Sequence, residues 1–184
     1  MVKIRIFIAI DFDKSTKSYL QDIKNKLEYY SFKGHFTHEE NFHLTLQFIG
    51  ELQADNIPNL IKSLQECISK HNAFNLSLDK LGGFKKGDSK LMWIGLEHNE
   101  KLMRIYEELF LTLKHAKIAF DEKPLKPHIT LGRQITLKKE ISELINILPI
   151  DKLIIPVNTI TLMESKQVNG KLKYVSLATF PLNN

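Results

Sequence analysis

The 184-residue chain predicts an α+β fold built mainly from antiparallel sheet. Two observations carry this. Segments of period two, rich in Ile and Phe, mix with segments of helical spacing in the order strand, helix, strand, helix, hairpin, helix, strand, helix, hairpin. Two of the strand pairs close on polar, glycine-containing turns, at 85–89 and around Asn169-Gly170, which is how hairpins read in sequence. No Pro/Gly/Ser linker, charge block or low-complexity segment divides the chain, so residues 1–184 are expected to form a single domain.

Residues 3–12 read as a buried strand. Residues 14–31 are helical through Tyr19, Leu20, Ile23, Leu27 and Tyr30, with Asp13 or Ser15 as cap. A strand follows over 41–49 and stops at Gly50. Residues 55–70 place Ile57, Leu60, Ile61, Leu64 and Ile68 on one helical face; Asp55 stands at the N-cap and Pro58 in the tolerant first turn. Cys67 borders that face and reads as ordinary packing. Segments 74–84 and 90–97 form a hairpin, with Trp93 assigned to the core. Leu102, Ile105, Tyr106, Leu109 and Leu113 define a helix over 99–115. Pro124 and Pro127 push their neighbours toward extended backbone. A strand over 128–135, a helix over 137–147 and a hairpin of 151–164 with 171–179 complete the chain.

With 43% hydrophobic and 26% charged residues, the composition is that of a chain able to bury a core. The net charge of +5 fits a polyanionic partner such as RNA, although a general lysine excess gives the same number. There is no apolar run long enough to cross a membrane. The apolar N-terminus has no small-residue cleavage site after it and reads as a strand rather than a signal. The single cysteine excludes an intramolecular disulfide and any multi-cysteine metal site. These points favour the cytoplasm.

One tetrapeptide pattern occurs twice, as His43-Leu44-Thr45-Leu46 and His128-Ile129-Thr130-Leu131. Side chains two apart on a strand share a face. His43 and Thr45 are therefore expected on one face, with Phe42, Leu44, Leu46 and Phe48 on the other. His128 and Thr130 repeat the arrangement opposite Ile129 and Leu131. Two imidazoles suit phosphoester cleavage, because a water needs a base and a leaving alkoxide needs an acid. Threonine hydroxyls can donate to the non-bridging phosphate oxygens. Zinc is disfavoured: two histidines leave a site short of ligands, and the nearby His35 and His38 have no metal-motif spacing.

These motifs resemble the two-histidine phosphoesterase superfamily, and within it the bacterial and archaeal RNA 2′,3′-cyclic phosphodiesterases, historically named 2′-5′ RNA ligases. The similarity runs along nearly the whole chain. It is carried by Arg5-Ile6-Phe7-Ile8-Ala9-Ile10-Asp11, by residues 40–51 around His43, by Leu81-Gly82-Gly83-Phe84 and residues 91–96, by Pro127-His128-Ile129-Thr130-Leu131-Gly132-Arg133, and by Glu164-Ser165 with Gly170 and Tyr174.

The resemblance implies two pseudo-symmetric lobes, of mainly antiparallel sheet with flanking helices, around a central cleft. It implies metal-independent opening of an RNA-terminal 2′,3′-cyclic phosphate to a 2′-phosphate, with no cofactor. His43 would be the proton donor and His128 the proton acceptor. Thr45 and Thr130 would hold the phosphate. Arg133 would join them if Gly132 permits a bulge, since strict alternation points it away from the cleft. The aromatic that commonly precedes the first motif is represented by Phe36. Phe48 and Phe84 read as core rather than base-stacking residues. Lys85, Lys86, Lys123 and Lys126 would make a basic rim. RNA 3′ ends or small nucleotides are the expected substrates, and a monomer without membrane association the expected state. Cleavage of 2′-5′ oligonucleotides or small cyclic nucleotides, and RNA ligation in reverse, share the same chemistry. A non-catalytic RNA-end binding module would be a different class of protein.

Overall fold

In the computed structural model, which describes residues 2–184, β1 (Lys3–Asp11) is followed by α1 (Lys14–Tyr29), β2 (Ser31–Phe36) and β3 (His43–Gln53). Then come α2 (Ile57–Ile68), the hairpin of β4 (Phe74–Lys86) and β5 (Ser89–Leu96), and α3 (Glu100–His115). The chain finishes with β6 (His128–Leu137), α4 (Ile141–Ile147), β7 (Ile154–Val157), β8 (Thr159–Val168) and β9 (Lys171–Pro181). The strands form two sheets, ordered β3-β1-β8-β9 and β2-β6-β5-β4-β7, and every strand pair is antiparallel.

Local chemistry fixes the helices. The Asp13 carboxylate caps α1 by accepting from the Thr16 N–H at 2.8 Å, while Ser15 donates to Asp13. Asn99 caps α3 from the Leu102 N–H at 3.0 Å. Asp55 does not cap α2: it lies in the short 3₁₀ turn Ala54–Asn56, and Asn56 takes the cap position without a side-chain bond. The expected apolar stripes are buried as spaced, through Leu20, Ile23 and Leu27 on α1 and the full set of five on α3. Helices α2 and α3 pack on each other and on β9 and β3; α1 packs on β2 and β6, and α4 on β4. The apolar faces of both sheets and the helices meet in one connected core.

Three expectations change. β2 escapes sequence reading because Ser-Phe-Lys-Gly-His-Phe has no apolar alternation; it is an edge strand that forms by pairing with β6. The segment 151–164 is two strands. β7 pairs with β4 in one sheet and β8 with β1 in the other, so the chain changes sheet at Asn158. The helix expected from 137 starts at Ile141, because β6 continues to Leu137.

The two histidine-bearing strands are irregular in the same way. Along β3, one extra residue falls between Thr45 and Gln47 relative to β1, and another between Phe48 and Gly50. Along β6, one falls between Thr130 and Gly132 relative to β5, and another between Gly132 and Ile135, where Gln134 has φ +52°. Each bulge shifts the inward–outward phase by one residue, and two restore it. Leu44, Leu46 and Ile49 thus remain in the core, as do Ile129, Leu131 and Ile135. The residues between the bulges are turned over.

Candidate active site

His43 opens β3, at the edge of the four-stranded sheet. Its Nδ1 lies 2.7 Å from the Asn41 carbonyl oxygen, which can only accept. Nδ1 therefore carries the proton, and neutral Nε2 accepts from the Thr45 hydroxyl at 2.9 Å. Asn41 is itself held by donating to the Leu172 carbonyl at 2.9 Å. The imidazole packs against Phe7 and, edge-on, Tyr174, at centroid distances of 5.0 and 4.9 Å.

His128 repeats this construction on β6. Its Nδ1 donates to the Lys126 carbonyl at 2.6 Å, again two residues back, which frees Nε2. Two aromatic rings again flank it, Phe84 at 5.6 Å and Trp93 at 6.3 Å. Neither is the core residue expected. Phe84 is 37% exposed, and Trp93 is half-buried on the histidine face of β5. The indole lies on the backbone of Gly82, where a Cβ would fall 2.2 Å from the ring. That close approach explains the glycine within Leu81-Gly82-Gly83-Phe84. Phe36, by contrast, packs partly into the main core.

Phe48 and Arg133 both depart from strict alternation. Phe48 leaves the core side and joins Phe7, Ala9, Met163 and Tyr174 on the His43 face of the sheet. Arg133 is exposed and makes none of the ion pairs among the described residues. Its positive charge is within electrostatic reach of His43, His128 and Tyr174. β3 and β6, from different sheets, are in contact.

Burial is the main cause that pushes both imidazoles below the ordinary histidine range; Arg133 adds to it, and the carbonyl bonds at Nδ1 oppose it. Only His43 also feels a carboxylate, Asp11, which favours its charged form. Asp11 is held by Lys17 at 2.6 Å. Both imidazoles are therefore neutral at rest at neutral pH, each with a free or lightly held Nε2.

Sequence reasoning missed Thr37, part of a third His-x-Thr triplet whose last position is His38 rather than an aliphatic residue. Its hydroxyl donates to the Thr130 carbonyl at 2.9 Å, and its N–H donates to the Leu131 carbonyl at 2.9 Å. Thr37 thus fixes the backbone of the second motif. His35 is the cross-strand partner of Arg133, and both it and His38 are exposed. Of the lysine rim, Lys126 lies 5.9 Å from the Phe84 ring centre, and Lys123 pairs with Asp121 at 3.3 Å.

Two matched neutral histidines on contacting strands of two antiparallel sheets, with a threonine hydroxyl at the first and a guanidinium in electrostatic reach of both, are equipment suited to phosphoester chemistry. Similarity to known proteins agrees. The family model described as LigT like phosphoesterase matches residues 10–93, which include the first motif. An RNA 2′,3′-cyclic phosphodiesterase of Thermotoga maritima is 37% identical over 131 residues, 71% of this chain and 70% of the relative. One from Archaeoglobus fulgidus is 28% identical over 144 residues, 77% of this chain and 79% of the relative. The fold is that of Escherichia coli LigT crystallised with 3′-AMP, with a TM-score of 0.84 over 100% of both chains at 24% identity. The chain belongs to the LigT-like phosphoesterase family and is a hydrolase of phosphoester bonds. No described helix is long and apolar enough to cross a membrane.

Proposed function

We propose that the protein opens the 2′,3′-cyclic phosphate at RNA 3′ ends to a 2′-phosphate, as a single catalytic unit. The observation that carries this reading is the matched tautomer of the two histidines. Each imidazole spends its Nδ1 proton on the carbonyl two residues back and keeps Nε2 for chemistry. In the reaction His128 Nε2 takes a proton from water as the oxygen attacks phosphorus. His43 must first take up a proton on Nε2 from solvent as the anionic substrate binds; when the bond from phosphorus to O3′ breaks, the imidazolium passes that proton to O3′. One water is consumed, and a 2′-phosphate and a 3′-hydroxyl result.

Asp11 supports His43 as the acid, because a nearby carboxylate favours the charged form of that imidazole, against the larger effect of burial, and none acts on His128. The anionic substrate would raise both depressed pKa values on binding, which lets His43 take up the proton it donates. Thr45, Thr130 and Arg133 would hold the non-bridging oxygens as negative charge develops. Phe84, with Trp93 behind it, offers a stacking face for a base beside His128. The names of the relatives and the nucleotide bound by E. coli LigT support a nucleotide-sized substrate. The cleft donors are two imidazoles with no third ligand grouped with them among the described residues, a set suited to proton transfer without a metal.

The test is incubation with an oligoribonucleotide ending in a 2′,3′-cyclic phosphate in EDTA, beside His43→Ala and His128→Ala. Wild type is expected to give a 2′-phosphate, and each folded variant to be slowed at least about 100-fold. No turnover by wild type removes the RNA-end assignment, and a panel of 2′-5′ oligonucleotides and small cyclic nucleotides then decides the substrate. Turnover that survives loss of either histidine removes the site.

A further inference from the structure

On the helix-covered face of the four-stranded sheet, opposite the His43 face, three side chains of metal-binding type converge. Cys67 lies in the last turn of α2, His71 just beyond it, and Glu108 on α3. Their ligand atoms all lie within 4.8 Å of one another. The contact between His71 and Glu108 is informative. Nε2 and a carboxylate oxygen are 3.1 Å apart, yet the ring nitrogen is buried and makes no hydrogen bond of acceptable geometry, to Glu108 or anything else. Two ligands on one zinc ion stand this way: bond lengths of about 2.0–2.1 Å at tetrahedral angles separate N and O by roughly 3.3 Å, with both lone pairs aimed at the metal. A histidine meant only as an ion-pair partner would aim its N–H at the oxygen.

The site is also supported from outside. Asn183 donates its backbone N–H to the His71 carbonyl at 2.8 Å and its side-chain amide to the Ser69 carbonyl at 2.7 Å. This pins the turn that carries the imidazole. Thr112, one helical turn beyond Glu108, lines the same groove as Cys67. That groove, lined also by Ser63, Lys70 and His115, opens beside the sulfur, giving solvent access for a fourth, water ligand.

We propose that Cys67, His71 and Glu108 bind one zinc ion, completed by water, and that this ion ties α2 to α3. A mixed sulfur, nitrogen and oxygen donor set suits zinc better than magnesium or calcium. Binding replaces the thiol S–H bond by a sulfur–zinc bond and releases the proton to solvent, so affinity rises with pH. The site serves the fold and stands apart from the acid–base chemistry in the cleft.

The test is titration of the metal-free full-length protein with Co²⁺, followed by Zn²⁺ displacement. Wild type is expected to take up one equivalent, with a thiolate-to-cobalt charge-transfer band and strong visible absorption of a tetrahedral ion. Zn²⁺ should abolish both signals and raise the thermal midpoint. Cys67→Ser should remove the charge-transfer band. Glu108→Gln changes a half-exposed side chain and leaves the fold intact by circular dichroism; it should weaken binding at least about tenfold. A band that is absent in wild type, or that persists in Cys67→Ser, overturns the proposal. So does metal uptake lost with His43→Ala or His128→Ala instead.

Discussion

Phe48 and Arg133 hold matching positions in two strands: each stands five residues after its histidine, beyond a first bulge and at a second, and each departs from strict alternation, Phe48 by joining the His43 face and Arg133 by staying exposed within electrostatic reach of both imidazoles. The irregularity is therefore part of the repeat. At one copy it delivers an aromatic ring to the face of Phe7 and Tyr174, and at the other a positive charge that acts on both imidazoles. A straight strand would have buried both.

Arg133 depresses both histidines, so its removal should raise both pKa values. Arg133→Met is expected to move both limbs of the kcat/KM–pH profile to higher pH by about half a unit or more. Arg133→Lys should keep the wild-type positions. A Met variant with lower activity and an unmoved profile would mean that the guanidinium does not sense the imidazoles.

Thr37 touches the second motif only through its backbone. Thr37→Val keeps the shape and removes the donor to the Thr130 carbonyl. The expected cost is about 1 kcal/mol of stability and roughly tenfold in kcat/KM. Urea denaturation and steady-state kinetics check the two parts. Full activity in a destabilised Thr37→Val would reduce Thr37 to a fold residue.

Gly82 leaves no room for a methyl group, since a Cβ would meet the Trp93 indole at 2.2 Å. Gly82→Ala should cost about 1–3 kcal/mol and displace Trp93 from beside His128. A red-shifted tryptophan emission, from this chain's only tryptophan, would report the displacement. Unchanged emission and stability would show that the indole does not rest on that glycine.

Burial lowers both histidines below their unfolded value near ~6.5. As pH falls through ~6.5 the unfolded chain takes up protons before the folded one does. Their contribution to stability is thus fully present above that value and is lost as pH drops toward the depressed folded values. Urea midpoints should fall between about pH 8 and about pH 5, with a shallower slope in His128→Gln. An identical slope in the variant would contradict a neutral buried imidazole.

The repeated motif, the helical stripes and the Asn169-Gly170 turn were legible because each is local: spacing, capping and φ preference act within a few residues. Asn169 and Gly170 indeed sit at φ +51° and +75°. What was not legible is non-local. Ser31–Phe36 becomes a strand only because β6 offers an edge. Trp93 and Phe84 look apolar enough for a core, and only pairing across Gly82 shows that they wall the cleft instead. The bulges that reorient Phe48 and Arg133 are defined against neighbouring strands, so a single strand's alternation cannot reveal them. Cys67, His71 and Glu108 are joined by helix packing across some forty positions, far outside any short spacing rule.

The order in which strands enter the two sheets has a bearing on synthesis. β1 and β3 emerge early, yet β1 gains its second neighbour only with β8, and the His43 ring meets Tyr174 only with β9. A nascent chain that already carries both histidines still lacks the wall that dries the first of them. Domains reach their native contacts late when those contacts are distant in sequence. The cleft is thus among the last parts to be completed, and a chain stalled before residue 171 would hold both motifs without a finished pocket for the first.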